Sequence, residues 1–94
     1  MLLLKKGILK ILDALYDAKI DGKELIQKDL FEVSGLSQSI LTVRLNELEY
    51  RGLVSITAEG TSHIYELTDK GFRLAKIIKE IIKLFDEADT IMQE

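Results

Sequence analysis

Residues 36–56 read LSQSILTVRLNELEYRGLVSI, and the way this stretch folds decides what the rest of the chain can build around it. Wound as a helix at roughly 100° per residue, it puts Leu41, Leu45 and Leu48 on one stripe. Ser39, Val43, Asn46, Glu47 and Tyr50 fall on the opposite stripe, with Thr42 on the flank and Ile40 at the margin. Ser37 suits the N-cap, where a hydroxyl accepts from a free N–H two or three residues on. Leu36 before that cap and Leu41 after it are spaced for a hydrophobic staple. Gly52 fits the C′ position, where a left-handed backbone closes a helix. A merely solvated face should be mostly charged, yet this one begins Ser-Gln-Ser and carries only Glu47 as a charge.

Working outward, residues 23–33 predict a shorter helix whose inward face is Ile26, Leu30 and Val33, at i, i+4, i+7 spacing. Ser34-Gly35 ends it, with Gly35 free to turn left-handed. Two helices about four residues apart, the second well capped, form a helix-turn-helix pattern. Further upstream, Leu4, Ile8, Ile11, Leu12, Leu15 and Tyr16 give residues 3–18 a helical period, and Asp21-Gly22 marks a turn. Downstream, residues 53–57 and 63–67 read as two strands joined by a short AEGTS loop, a hairpin. Thr68 then caps a last helix with Asp69 at its positive end and a Leu67–Phe72 staple. Run to residue 92, this helix is roughly 35 Å long. The expected fold is mainly α (α+β): a winged helix-turn-helix with a short hairpin wing and a long C-terminal helix. One domain spans 1–94, with the helix-turn-helix at 23–52, the wing at 53–67 and the final helix at 68–92.

Composition sets the limits. The chain has 94 residues, 47% apolar and 31% charged, enough for one small globular domain. It has no cysteine and one histidine. That excludes disulfides, thiolate metal sites and a structural zinc cluster, so neither metal nor cofactor is expected. With no glycine-rich phosphate loop and no serine–base constellation, the chain is not expected to be an enzyme. The opening MLLLKKGILKIL is interrupted by Lys5, Lys6 and Lys10, and no small-residue cleavage site follows, which argues against a signal peptide. No apolar run reaches the roughly 18 residues of a membrane span. A cytoplasmic location is expected. One Asn and three Gln among many Ile, Lys and Glu point to a thermophilic source.

Two segments, LTVRLNELEYRGLV (41–54) and YELTDKG (65–71), resemble the matching stretches of MarR-like and HxlR-like winged-helix transcription regulators. The HxlR type is the nearer, its third helix commonly reading S-Q-x-x-L-T-x-R-L-x-E-L-E before G-L-V. The resemblance covers about residues 20–75. It implies a sequence-specific regulator of double-stranded DNA that lays residues 37–51 in the major groove. Two departures stand out. Related regulators often carry a basic residue where this chain has Ser39 or Val43. Their wings are usually longer and carry an arginine, where this one offers Glu59, Thr61, Ser62 and His63.

Hydroxyl and amide side chains are the groups that read base edges, and an apolar side chain can meet a thymine methyl. Gln38, Ser39, Thr42, Val43 and Asn46 are therefore the expected base contacts, with Ser37 nearer a phosphate. Arg44 lies at the side of the helix, within reach of a phosphate or of Glu47 or Glu49. Lys28 and Arg51, with Lys70, Lys5 and Lys6, are expected to support phosphate contacts. Thr61, Ser62 and His63 are the wing's candidates. Net charge is −3 and counts against a nucleic-acid partner. It favours the alternative, a winged helix serving as a protein-interaction module.

The last helix carries Leu74, Ile78, Ile81, Phe85, Ala88 and Met92 at alternating steps of four and three. A second row, Ile77, Leu84 and Ile91, runs beside them. Two rows are more than one domain needs, and such a patch usually marks an interface. The expectation is a two-fold homodimer that sets its recognition helices about one DNA turn apart on a palindromic site.

Overall fold

The computed structural model describes residues 1–92, with side chains through residue 88. Its elements are α1 (Ile8–Asp21), β1 (Leu25–Ile26), α2 (Gln27–Ser34), α3 (Gln38–Tyr50), β2 (Val54–Glu59), β3 (Ser62–Leu67) and α4 (Asp69–Met92). A winged helix-turn-helix results: α2 and α3 form the two-helix unit, and β2–β3 form the wing. No described helix is long and apolar enough to cross a membrane.

The first helix starts later than the periodicity of residues 3–18 predicts. Leu2–Leu4 make a single 3-10 turn, and Gly7, at φ 88°, turns the chain before Ile8. Leu2 is buried, but Leu4, expected on the inward face, is 79% exposed. The break has a steric cause. Gly7 abuts the Leu36 side chain so closely that a Cβ there would sit 2.5 Å from Leu36 Cδ1. From Ile8 onward the reading holds: Ile8, Ile11, Leu12 and Leu15 are buried, and α1 ends at Gly22 in a left-handed conformation.

The second helix is also shorter than the 23–33 expected. Leu25 and Ile26 pair instead with Tyr65 and Ile64 as the edge strand of a three-stranded antiparallel sheet, in the order β1-β3-β2. Asp29 Oδ2 accepts from the Ile26 N–H at 2.9 Å and so caps α2 after the strand. Leu30 is buried, whereas Ile26 and Val33, both expected to face inward, are exposed. Leu25 and Ile26 are strand and cap rather than helix, and the buried positions of α2 are Leu30 and Ser34, four apart, which leaves Val33 off the stripe.

In α3 the expected stripe is the core stripe: Leu41, Leu45 and Leu48 are buried with Leu36. Ser37 Oγ accepts from the Ile40 N–H at 3.4 Å. The helix closes through Leu53 N–H to Leu48 O (3.0 Å) and Gly52 N–H to Glu49 O (2.9 Å), with Gly52 at φ 73°. That is the left-handed termination the glycine was read to supply. The hairpin is longer than predicted. Ala58, Glu59 and Ser62, expected in the loop, are strand residues, and Glu59 pairs with Ser62 across a two-residue turn.

Thr68 joins wing to final helix. Its hydroxyl donates to Gly52 O at 2.6 Å and accepts from the Gly71 N–H at 3.0 Å. Gly71 and Ala75 are buried against the domain, and Leu74 and Ile78 pack on the core's edge. α1 holds α4 by a stacked Tyr16–Phe72 pair, centroids 4.8 Å apart, and by Lys79, which bridges Asp13 and Asp17 over the Tyr16 ring. Past Lys79 every described side chain, 80–88, is exposed.

Candidate nucleic-acid interface

Because Leu41, Leu45 and Leu48 anchor α3 to the core, its other face is turned outward. Ser39, Val43, Asn46 and Tyr50 are all exposed, Val43 at 50% and Tyr50 at 93%. Val43, Asn46, Glu47, Tyr50 and Arg51 line an open depression along the helix. Four of the residues expected at base edges or phosphates, Ser37, Ser39, Val43 and Asn46, thus lie on one outward surface. Ser37 and Ser39 share a 3.4 Å hydroxyl contact.

Glu47 is the one carboxylate in that depression, and it is matched by two cations. Lys5 Nζ lies 3.1 Å from Oε2 and Arg44 Nη1 lies 2.8 Å from Oε1. The hydrogen bond from Lys5, followed by that from Arg44, outweighs desolvation and holds the Glu47 carboxyl below its usual range. Of the partners open to Arg44, it takes the Glu47 carboxylate in the free protein. Its side chain is half-buried, and Nε is buried without a partner among the described residues.

Gln38 and Thr42, at the start of α3, are exposed but not free. Gln27 Nε2, from the first position of α2, donates to Gln38 Oε1 (3.1 Å) and to Thr42 Oγ1 (3.0 Å). The Thr42 hydroxyl in turn donates to Gln38 O at 3.0 Å. Behind them, the Tyr65 hydroxyl of β3 meets Gln27 Oε1 at 3.5 Å, and burial raises that phenol's pKa, so it stays a donor.

Lys28 is exposed beside Gln27, and Arg51 follows α3, its carbonyl 3.5 Å from Lys70 Nζ. Thr61, Ser62 and His63 are exposed at the wing's tip, with Glu59. Of the residues expected in the dimer contact, Leu74 and Ile78 are half-buried on their own domain. Ile77, Ile81, Leu84, Phe85 and Ala88 are exposed, Leu84 at 64% and Phe85 at 68%. Ile91 and Met92 lie outside the residues whose side chains are described. Sequence reasoning missed three participants. Ile82 is exposed beside Ile81 on α4. Gln27 carried no signal, being one amide at a misplaced helix start. Lys5 was seen only as a positive charge, since its contact with Glu47 spans 42 positions.

The sequence model of the HxlR-like helix-turn-helix family matches residues 5–92. Among solved structures, AF1382 of Archaeoglobus fulgidus is similar with a TM-score of 0.82 and 28% identity, over 89% of this chain and 92% of that one. The homodimeric winged helix-turn-helix DNA-binding domain Mb0332 of Mycobacterium bovis aligns with a TM-score of 0.75 and 23% identity, over 93% of this chain and 77% of that one. MepR of Staphylococcus aureus, in its complex with DNA, aligns with a TM-score of 0.75 and 20% identity. The match covers 89% of this chain and 62% of MepR, so the chain spans under two thirds of that regulator. These last two likenesses speak for the fold. No curated protein matches the chain.

Proposed function

The chain belongs to the HxlR-like helix-turn-helix family, and from that premise we propose that it is a transcription regulator that binds double-stranded DNA as a homodimer, α3 lying in the major groove. The observation that carries the proposal is the outward face of α3. Ser39, Val43 and Asn46 are exposed there, and the sole carboxylate among them, Glu47, is matched by Lys5 and Arg44. A net charge of −3 would otherwise repel phosphates. With Lys5 and Arg44 beside it, Glu47 leaves no unmatched negative charge in this depression, which meets that objection where it matters. Asn46 is suited to adenine, Val43 to a thymine methyl, and the capped N-terminus at Ser37 to a phosphate. Lys28 and Arg51 flank α3 as phosphate contacts, and Thr61, Ser62 and His63 give the wing a weak, largely uncharged approach. Glu59 at its tip opposes close entry into the minor groove.

The exposed apolar side of α4 supports the homodimer, in keeping with the homodimeric Mb0332 domain, and a MepR–DNA complex on the same fold supports the DNA partner. A two-fold dimer would set the α3 helices about 34 Å apart and select a palindromic site. The test is a gel shift with random duplex at low salt, followed by site selection. Retarded duplex and an enriched palindrome are expected. The acidic balance favours one other reading, a protein-interaction module, and absence of any retardation at low salt would decide for it.

A further inference from the structure

We infer that Gln27, a residue of α2, fixes which way the Gln38 amide faces, so that Gln38 meets a base edge chiefly as a hydrogen-bond donor; this rests on the reading of α3 as a recognition helix. The hydrogen bonds agree on one arrangement. The Thr42 hydroxyl spends its proton on Gln38 O, so toward Gln27 it can only accept. The group facing it must therefore be the Gln27 amide nitrogen. That nitrogen also reaches the side chain of Gln38, and what it meets there must be the acceptor, Oε1, at 3.1 Å. The Gln27 oxygen, turned the other way, takes the Tyr65 hydroxyl. Three elements, α2, α3 and β3, agree on one setting of the network.

The consequence falls on readout. Glutamine reads adenine by laying its oxygen and nitrogen side by side against N6 and N7. Here one lone pair of the oxygen is taken by Gln27, which holds it toward α2, while the Gln38 amide nitrogen, unpartnered among the described residues, keeps both protons for a base. A lone pair of N–H donors favours guanine, whose major-groove edge offers two acceptors, N7 and O6, and no donor. Thr42, its hydroxyl committed on both sides, presents a methyl group instead. The start of α3 thus selects guanine at the base pair under Gln38, where the free side chain would select adenine.

Exchanging the donor for an acceptor should invert the choice. In Gln27→Glu, a carboxylate facing Gln38 draws the Gln38 nitrogen toward α2 and turns its oxygen outward, toward bases with a donor, cytosine N4 or adenine N6. The experiment is site selection with the parent, Gln27→Glu and Gln27→Ala, then affinities on the selected site with the one base pair varied. For the parent, guanine should exceed adenine about tenfold, and 7-deazaguanine, lacking N7, should lose most of that margin. Gln27→Glu should reverse the order, and Gln27→Ala, with Gln38 freed, should shift it toward adenine. Should Gln27→Glu not fold, as judged by circular dichroism, the alanine variant carries the test alone. A parent that binds no duplex would remove the recognition-helix reading itself. A parent with clear preferences, but variants that keep the same base order or lose affinity evenly on every site, would overturn the role given to Gln27 alone.

Discussion

At Gly71 an added Cβ would run into the carbonyl oxygen of Leu53, a backbone atom with nowhere to go. Gly22 differs: a Cβ there meets open space, and only its φ of 69° resists substitution. In urea unfolding, Gly71→Ala should therefore cost about 3 kcal/mol or more, since packed backbone must move. Gly22→Ala should cost about 1–2 kcal/mol, the ordinary penalty for a left-handed side chain. Equal losses would mean that α4 tolerates a shift away from Leu53. Glu47 makes a second claim at this scale. Its lowered pKa means that its stabilising pairs are present above the ordinary carboxylate value of 4.5 and fade as pH falls through the lower folded value. Carboxyl NMR should give a Glu47 midpoint below 4.5, moved upward in Lys5→Ala. An unmoved midpoint would detach Lys5 from the site. Much at this scale was legible beforehand: the Ser37 cap, the Gly35 and Gly52 terminations and the Leu41–Leu45–Leu48 stripe each follow from neighbours in sequence. The Gln27 and Lys5 contacts do not, because long-range polar pairing leaves no local period.

At the scale of elements, α3 and α4 were readable because each has a strong cap and several turns of regular spacing. α1 was misread at its start because the apolar run of residues 2–4 continues its period by chance, and only the approach to Leu36 reveals why Gly7 breaks it. The β1 strand, two residues long, is too short to show alternation and owes its existence to pairing with β3. Losing those residues to a strand took Ile26 out of the helix, and within α2 the buried pair is Leu30 and Ser34, which leaves Val33 off the stripe. The exposed row of α4 is where a prediction belongs. Ile81, Leu84 and Phe85 protrude beyond the point where Lys79 ties the helix to α1, and Ile77 is exposed just before it. Replacing Leu84 and Phe85 together by Lys should convert a dimer to a monomer in light scattering, with the circular dichroism spectrum kept. Both are exposed and neither belongs to the core cluster, so folding of the wing and of α1 to α3 should survive. A parent already monomeric at micromolar concentration would remove the homodimer.

The whole molecule is 53 × 26 × 22 Å with a radius of gyration of 14.2 Å, against about 12 Å for a compact domain of this length. The excess is α4, standing out as a rod, and a chain this small has reason to cover such a rod with a second copy. Charge must be weighed at the same scale. A homodimer would carry −6, twice the −3 of one chain, so its attraction to DNA must come from local cations rather than from the overall field. Lys6, Lys28 and Arg51 are exposed with no carboxylate partner among the described residues. If each reaches a phosphate in both copies, six counterions are released and log K should fall against log salt with a slope of about −5. Fluorescence anisotropy on the selected site across a salt series measures that slope directly. Because Lys28 supplies two of the six contacts by symmetry, Lys28→Ala should flatten the slope by roughly 2 while leaving base preference as it was. A slope near zero, in a protein that nonetheless binds the site, would show that phosphates contribute little and that α3 holds the duplex through its base edges alone.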